Sequence, residues 1–307
     1  MSAALSMAAA GGLAAGEHRL AAGPMRAVVR ADAGGRISAA WREEPRGRRT
    51  NLLQPMPAGD FDPCAWPKGG CYPLVPWSNR IRDGRFAFRG RTVDVGYPDA
   101  LPHGLHGFAQ RQAWQVTAAT DTALTMVFRH GAAPGWPWPF QATQRVLLDG
   151  AGLTLEIAVT NTGTEPMPAG LGVHPYLACE PGDRLRLTAA TLWESDAAMC
   201  GTVARPLDAA AGRRDDTLGA DETRYLAGFE GVASLARRDG SRVVLETGAP
   251  FDHLVLHVPA GAPYACVEPV THVADAFNLA AAGVGGSGFR VLEPGESLAG
   301  VVRMGLA

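Results

Sequence analysis

The sequence predicts an all-β fold, an antiparallel β-sandwich, and three observations support this prediction. Glycine (38 residues) and proline (23 residues) punctuate the 307-residue chain at short intervals. Short runs of alternating apolar and polar residues lie between these breaks. Amphipathic helical patterns are weak, and the best of them are the alanine-rich segments 3–15 and 208–212. Many short strands with a turn signal about every 8–12 residues are typical of a sandwich.

Several segments predict individual strands and the turns between them. FAFRGRTVDV predicts two short strands around a turn, and RVLLDGAGLTLEI places Asp149-Gly150 between two apolar runs, a strong hairpin signal. SRVVLET, FDHLVLHVP and FRVLEPGESLAGVVRMGL also alternate. No linker or repeat interrupts the pattern. We therefore predict one β-sandwich domain over residues 25–307, after an irregular N-terminal segment, residues 1–24. Along LTLEIAVTN one face of the strand collects only apolar residues, namely Leu153, Leu155, Ile157 and Val159.

Composition and charge argue against several classes of function. Hydrophobic residues make up 47% of the chain and charged residues 19%, which is typical of a globular protein, and with a net charge of −2 there is no basic stripe for nucleic acid. No apolar run approaches the ~18 residues of a membrane helix, and the N-terminal stretch lacks the basic start of a signal peptide. Five cysteines without a C-x-x-C pair predict free thiols in a reducing compartment. We therefore expect a cytoplasmic monomer or homodimer with no nucleic-acid or membrane partner.

The segment GVHPY contains the first candidate for chemistry, His174. Strand alternation puts Gly170, Gly172 and His174 on one face and apolar residues on the other. The two glycines predict a shallow space beside the imidazole that suits a small ligand, and Pro175 predicts that the strand ends there. A histidine hydrogen-bonded inside the sandwich is the structural alternative, and the local pattern leaves both interpretations open.

The segment YACVEPVTH contains the second candidate, Glu268. Alternation groups Tyr264, Cys266 and Glu268 on one face of a strand. A glutamate among apolar residues requires partners if it is buried, so backbone amides could hold it as a structural carboxylate. Partial desolvation also raises the pKa of a carboxyl group toward neutral pH, which is what a general base requires.

The segment PHGLHGFAQ contains two histidines, His103 and His106, each followed by glycine. The H-x-x-H spacing suits a metal on a helix, but the glycines argue against a helix and no third ligand follows at a suitable spacing. We therefore expect no metal site here. Glycines let the backbone approach a ligand closely, which fits a sugar or another small polar molecule.

The segment PLVPWSNRIRDGRFAFRG contains the basic candidates. Asn79 and Arg80 follow a Pro-Trp turn, and the forked donors of an arginine suit neighbouring hydroxyls or a carboxylate. Arg82 and Arg85 are expected to be solvated turn residues. Lys68 is the only lysine among the 28 lysine and arginine residues, which we attribute to coding bias.

Aromatic and further histidine residues carry weaker signals. The aromatic residues of GWPWPF are large and lie at a predicted strand start, where they are expected in the core rather than on a sugar. His253 and His257 lie on the same face of the FDHLVLHVP strand, which we interpret as a solvated or edge face.

Four of these segments, taken in order, resemble the aldose 1-epimerase (galactose mutarotase-like) family. They are NRI followed by DGRFAFRGR, LHGF, GVHPY, and VEPVTHVADAFN, and the resemblance covers roughly residues 25–305. It implies a large antiparallel β-supersandwich with a sugar cleft and no metal or redox cofactor. Carried onto this chain, it implies that Glu268 is the general base and His174 the general acid. It also implies that His106 contacts the ring oxygen and hydroxyls of the sugar, and that Arg80, with Asn79 beside it, binds the substrate.

One segment departs from the family pattern. The family has a substrate-binding aspartate in a hydrophobic-Asp-His/Asp segment before Phe or Tyr, whereas the corresponding stretch here reads GADETRYLAGFEG. Asp221 is the first candidate for this aspartate and Glu222 the second. The departure leaves the preferred sugar open.

The resemblance predicts interconversion of the α and β anomers of an aldohexose. Glu268 would take the proton of the anomeric hydroxyl while protonated His174 gives one to the ring oxygen. We expect each charge to stabilise the other, so that the carboxylate raises the imidazole pKa and the imidazolium lowers the carboxyl pKa.

Three alternatives remain from the sequence. A hexose-6-phosphate 1-epimerase would need clustered Arg or Lys at the cleft rim. A non-catalytic sugar-binding module would need neither an acid nor a base. A lyase or hydrolase would need a further carboxylate or a tyrosine pair, for which no motif is present.

Overall fold

Two large antiparallel sheets dominate the computed structural model of the protein, which describes residues 16–59, 61–64, 67–96 and 103–307. Strands β1–β12 are Glu17–Ala22, Met25–Arg30, Arg36–Glu43, Arg49–Asn51, Cys71–Leu74, Arg85–Phe88, Arg91–Asp94, Gln115–Ala119, Ala123–His130, Phe140–Leu148, Gly152–Asn161 and Met167–Ala169. Strands β13–β24 are Gly172–Ala178, Arg184–Thr188, Thr191–Ser195, Gly201–Pro206, Arg213–Thr217, Glu222–Ala227, Val232–Ala236, Arg242–Thr247, His253–Val258, Tyr264–Val270, Arg290–Leu292 and Ser297–Leu306. Helix α1 is Ala276–Ala281, and 3-10 turns occupy Pro45–Gly47, Arg82–Gly84 and Ala109–Arg111.

The first sheet has eleven strands and the second has nine. The order in the first is β1-β2-β3-β5-β13-β22-β21-β18-β15-β16, with β4 paired to β3. The order in the second is β17-β14-β19-β20-β24-β11-β10-β9-β8. Strands β6 and β7, and β12 and β23, form two small two-stranded sheets. Side chains from both large sheets form one continuous hydrophobic cluster. The prediction of an all-β antiparallel sandwich is confirmed.

Strand β11 shows why the alternating pattern predicts this architecture well. Its predicted apolar face is almost completely buried: Leu153, Leu155 and Val159 are 0% exposed and Ile157 is 2% exposed. The predicted hairpin joins β10 to β11, where the carboxylate of Asp149 accepts the backbone N–H groups of the two residues that end the turn. The FAFRGRTVDV hairpin is likewise formed by β6 and β7.

Two parts of the sequence behave differently from their predictions. Residues 208–212 form a turn rather than a helix, because the Asp208 carboxylate accepts the N–H groups of Ala210 and Ala211. The other helical candidate, residues 3–15, lies outside the described residues. Within the segment predicted to be irregular, residues 17–22 form strand β1, which pairs along its whole length with β2 and buries Leu20.

An aromatic cluster fills the sandwich beside the loops that follow β5. Trp136, Trp138 and Phe140 of GWPWPF are at most 3% exposed, as predicted for core residues. Trp77 packs on Trp136 with a centroid separation of 5.1 Å, and its indole N–H donates to the carbonyl of Gly104 at 2.6 Å. This contact ties the segment carrying Arg80 to the segment carrying His106. Within the described part of the chain, the one α-helix is six residues long, and no helix is long and apolar enough to cross a membrane.

Candidate active site

His174 and Glu268 meet at the centre of the first sheet. Strands β13 and β22 pair two positions before and two positions after these residues, so that the two side chains stand directly opposite each other. Nε2 of His174 lies 3.3 Å from Oε1 of Glu268. Both residues are nearly inaccessible, at 6% and 2% exposure. The register of two strands that are about 90 residues apart in sequence therefore brings the acid–base pair together. Alternation along each strand alone does not reveal this pairing.

Aromatic rings fix the orientation of the His174 imidazole. The rings of Tyr72 and Tyr176 stack on it with centroid separations of 4.6 Å and 4.8 Å and interplanar angles of 24° and 21°. The ring of His106 meets it edge-on at 5.2 Å. The centroids of the Tyr72 and Tyr176 rings are themselves 6.3 Å apart, so these rings flank the imidazole rather than sandwich it, and together with His106 they constrain its orientation.

The strand carrying His174 does not end at Pro175, contrary to the prediction. Strand β13 continues to Ala178, with Pro175 opposite Cys71 of β5. On the other side, the pairing between β13 and β22 is interrupted over residues 173–175. Proline is tolerated there because the ladder toward β22 requires no N–H group from it.

The two glycines before His174 do not leave space for a ligand, contrary to the prediction. A Cβ atom on Gly170 would lie 2.2 Å from the ring of His272, and one on Gly172 would lie 2.8 Å from Val270. His272 in turn accepts the backbone N–H of Ser78 at 3.1 Å. These glycines therefore let protein atoms pack closely and hold the Ser78 segment in place.

A hydrogen-bonded loop presents Asn79, Arg80 and His106. Nδ1 of His106 accepts the backbone N–H of Asn79 at 3.0 Å, and the backbone N–H of His106 donates to the carbonyl of Asn79 at 2.8 Å. Asn79 and His106 adopt left-handed backbone conformations, with φ of 53° and 66°. Burial, together with the charges of Arg80 and Lys68, lowers the pKa of His106 well below its usual value. His106 is therefore neutral with its proton on Nε2, so that it is a hydrogen-bond donor.

The glycines of PHGLHGFAQ also serve the protein rather than a ligand. A Cβ atom on Gly107 would lie 2.1 Å from the carbonyl oxygen of Val75, and Gly107 has a φ of 65°. His103 lies outside the cleft, where its Nδ1 accepts the backbone N–H of Asp83 at 3.0 Å. His103 and His106 thus each use one ring nitrogen to fix a loop.

An open cleft lies above the pair, with a volume of about 250 Å³. Its lining combines polar and apolar side chains from four strands of the first sheet and from four loop segments. The lining residues are Lys68, Asn79, Arg80, Leu105, His106, His174, Tyr176, Met199, Thr223, Tyr225, Val255, His257, Tyr264 and Glu268. Five of the six predicted site residues are therefore brought together.

The sixth predicted residue, Asp221, is exposed and does not line the cleft. Its alternative, Glu222, is bound by Arg214 at 2.6 Å and Arg224 at 2.9 Å. Along β18 the residues that line the cleft are Thr223 and Tyr225 instead, since neighbouring residues of a strand face opposite sides.

His257 is a cleft residue that the sequence analysis assigned to a solvated or edge face. Strand β21 is central in the sheet, between β22 and β18, so Val255 and His257 face the cleft. Nδ1 of His257 lies 2.9 Å from the hydroxyl of Thr223. His253, on the same strand, is buried and contacts the Asp252 carboxylate and the Gly286 carbonyl. Alternation correctly grouped these residues on one face of β21. It does not show that β18 and β22 flank this strand and that the face lies under the cleft.

Burial dominates the electrostatics of the central pair. It raises the pKa of Glu268 well above the usual value for a glutamate. It also lowers the pKa of His174 well below the usual value, and the nearby charge of Arg36 acts in the same direction. This is the opposite of the mutual charge stabilisation that the sequence analysis predicted. Desolvation of two nearly inaccessible groups outweighs their attraction.

One set of side chains among the described residues has the composition of a metal site. The donor atoms of His174, Cys266 and Glu268 lie within 4.8 Å of one another, and all three residues are buried. An imidazole, a thiol and a carboxylate suit zinc. Burial raises the pKa of the Cys266 thiol, so a metal would have to displace its proton.

Comparisons with known proteins agree with this architecture. The sequence profile of a family described as aldose 1-epimerase matches residues 19–305. YphB, an uncharacterised protein of Escherichia coli K12, is 28% identical over 282 residues, which cover 87% of this chain and 90% of YphB. A crystal structure of a candidate aldose 1-epimerase from E. coli K12 superposes with a TM-score of 0.80 at 24% identity, covering 95% of this chain and 98% of that one.

A more distant structure shows the same fold. The GalM/aldose epimerase homologue from C. elegans superposes with a TM-score of 0.78 at 14% identity, covering 96% of this chain and 99% of that one. The predicted galactose mutarotase-like fold is therefore confirmed. On the profile match over nearly the whole chain, the protein belongs to the aldose 1-epimerase family.

Proposed function

We propose that the protein is an aldose 1-epimerase, which interconverts the α and β anomers of an aldohexose. The observation that carries this proposal is the buried contact between His174 and Glu268, 3.3 Å apart under an open polar cleft. Positioned acid and base groups typically contribute about 10²–10⁴-fold to a proton transfer. Oxygen-rich sugars suit a cleft lined by hydrogen-bond donors and aromatic edges.

The reaction requires one proton on the pair. The carboxylate of Glu268 removes the proton from the anomeric hydroxyl, and the imidazolium of His174 protonates the ring oxygen. The bond between C1 and the ring oxygen breaks as the C1 carbonyl forms, and rotation about the C1–C2 bond exposes the other face. Reversal of both transfers then closes the ring and returns the proton to His174.

The pKa shifts favour this direction of proton flow. A histidine with a lowered pKa is a stronger acid, and a glutamate with a raised pKa is a stronger base. After ring opening both groups are neutral, which is the state that burial stabilises. Burial therefore favours proton transfer out of the charged pair, and it equally disfavours forming that charged pair before the transfer.

Two buried atoms of the pair support a polar ligand at this position. Nδ1 of His174 and Oε2 of Glu268 have no hydrogen-bond partner among the described residues. Buried polar atoms normally have partners. Arg80 and His106 line the cleft beside the pair, where the sugar hydroxyls would lie.

Of the three arginines in residues 79–85 that could supply a phosphate site, Arg80 lines the cleft and Arg82 and Arg85 do not. Arg82 pairs with Asp196 and Asp275, and Arg85 pairs with Asp94 at 2.8 Å. Their charges are therefore already matched.

The test is NMR exchange spectroscopy on the anomers of a panel of aldoses with the purified protein. We expect the exchange rate of at least one aldose to rise with protein concentration above the buffer rate. Calorimetry on the same sugars separates the alternative: a protein that binds a sugar while exchange stays at the buffer rate is a binding module, and the proposal fails.

A further inference from the structure

Lys68, the only lysine of the chain, lies at the mouth of the cleft. Its side chain is exposed, yet it lines the same space as His174 and Glu268. Its charge contributes to lowering the pKa of three cleft histidines, namely His106, His174 and His257. Burial is the main cause of each shift, and the three histidines lie on two strands and a loop around the cleft.

The backbone that carries Lys68 is fixed on both sides. Arg36 is fully buried, and its Nη1 donates to the carbonyl of Pro67 at 3.3 Å and to that of Gly69 at 3.0 Å. A Cβ atom on Gly70 would lie 2.2 Å from the carbonyl oxygen of Ile37. A buried arginine and a close backbone contact therefore bracket Lys68, which makes it a positioned group rather than a residue of a loose loop.

The cleft has more positive than negative charge. Lys68 and Arg80 form no salt bridge among the described residues, whereas exposed arginines such as Arg91 pair closely with carboxylates. Among the described residues Glu268 is the one carboxylate in the lining, and in the proposed mechanism it shares a single proton with His174, so that the pair is neutral overall. Asp221 is exposed outside the lining, near His257, and offsets at most one of the two cations.

We propose that the substrate is an aldose that carries an oxyanion, such as a phosphate or a carboxylate, away from the anomeric carbon, and that Lys68 binds this oxyanion. This inference rests on the proposed function and specifies its substrate class. A compact ammonium on a flexible stem suits a terminal oxyanion whose position varies slightly. Arg80, deeper in the cleft, is then free to orient hydroxyls near the reacting carbon.

The test compares anomer exchange of glucose, glucose 6-phosphate and glucuronate by the native protein, Lys68→Gln and Lys68→Arg. We expect the native kcat/KM for at least one of the two anionic sugars to exceed that for glucose by about tenfold or more. In Lys68→Gln the ratio of kcat/KM for the anionic sugar to kcat/KM for glucose falls by at least about tenfold, mainly because KM for the anionic sugar rises. Lys68→Arg retains most of the native ratio. Raising the salt concentration from about 0.05 M to about 0.5 M reduces the same ratio in the native protein.

The outcomes distinguish this inference from the function on which it rests. If glucose is turned over as efficiently as both anionic sugars, or if Lys68→Gln leaves the ratio unchanged, the inference is overturned and the epimerase proposal stands. If no aldose, neutral or anionic, exchanges faster than in buffer, the epimerase proposal fails and the inference fails with it. The two anionic sugars separate a phosphate from a carboxylate as the preferred oxyanion.

Discussion

Replacement of Glu268 by glutamine removes the proposed base while preserving its shape. Glutamine has nearly the same volume, and its amide can still contact Nε2 of His174, 3.3 Å from the present carboxylate. The buried site loses an ionisable group, so sugar binding has no reason to weaken through a clash or a cavity. What disappears is the ability to accept the anomeric proton.

The size of the effect follows from that loss. A positioned base contributes about 10²–10⁴-fold to a proton transfer. At about 1.4 kcal/mol for each factor of ten, this equals about 3–5 kcal/mol of the activation free energy. We therefore expect anomer exchange to slow by at least about 10²-fold, with the sugar Kd within about threefold of native.

Polarimetry or NMR exchange measures the rate, and calorimetry measures binding. Glu222→Gln is the matched control, because this glutamate pairs with Arg214 and Arg224 away from the cleft, and it should exchange anomers within about twofold of native. A Glu268→Gln protein that keeps near-native exchange would refute the assignment of the base. Equal losses in both variants would show that the effect is not specific to the cleft.

Three further results are expected. First, kcat/KM falls at both low and high pH, since the pair works only when it carries one proton. The two apparent pKa values of this profile describe the pair as a whole rather than either residue. A profile that is flat from about pH 4 to about pH 10 contradicts this. Second, burial raises the folded-state pKa of Glu268, so its stabilising contribution is complete below the unfolded pKa of about 4.3 and is lost as pH rises through the folded pKa. The Tm of Glu268→Gln therefore rises relative to the native Tm as the pH increases, by about 2 °C for each kcal/mol of stability that the native protein loses. A Tm difference that stays constant with pH would contradict this. Third, zinc inhibits exchange reversibly, EDTA restores it, and Cys266→Ala raises the inhibitory concentration by about tenfold; equal inhibition of both proteins would rule out the thiol as a ligand.

The strands were predictable because one buried face is visible as alternation. Strand β11 shows this most clearly, since Leu153 and Leu155 are completely buried as predicted. The order of strands in the sheets was not predictable in the same way. Strand β5 ends at Leu74 and pairs with β13, almost 100 residues later, and no local pattern records such a pairing.

The central pair of the candidate site was predictable because two short sequence motifs contain its residues. GVHPY and VEP supplied His174 and Glu268, and the structure places them in contact. The raised pKa of Glu268 agrees with the predicted desolvation, whereas the predicted mutual charge stabilisation was wrong, because alternation does not reveal that both groups are nearly completely buried. His257 was missed for a related reason, since the strands on either side of β21 decide whether its face is solvated.

Lys68 illustrates a different limit. In the sequence it is a single lysine in an arginine-rich chain, and coding bias explains that composition adequately. Its position depends on Arg36, more than 30 residues earlier, which holds the backbone on both sides of it. A contact of this kind is visible only once the chain is folded.

The double variant His174→Gln/Glu268→Gln, compared with each single variant by NMR anomer exchange, tests most directly whether the two residues act as one proton-transfer unit. Groups that act as a unit have strongly non-additive effects. We predict that the double variant is within about threefold of the slower single variant, because either change already prevents the coupled transfer. Losses that multiply, or a single variant that retains near-native exchange, would contradict this mechanism.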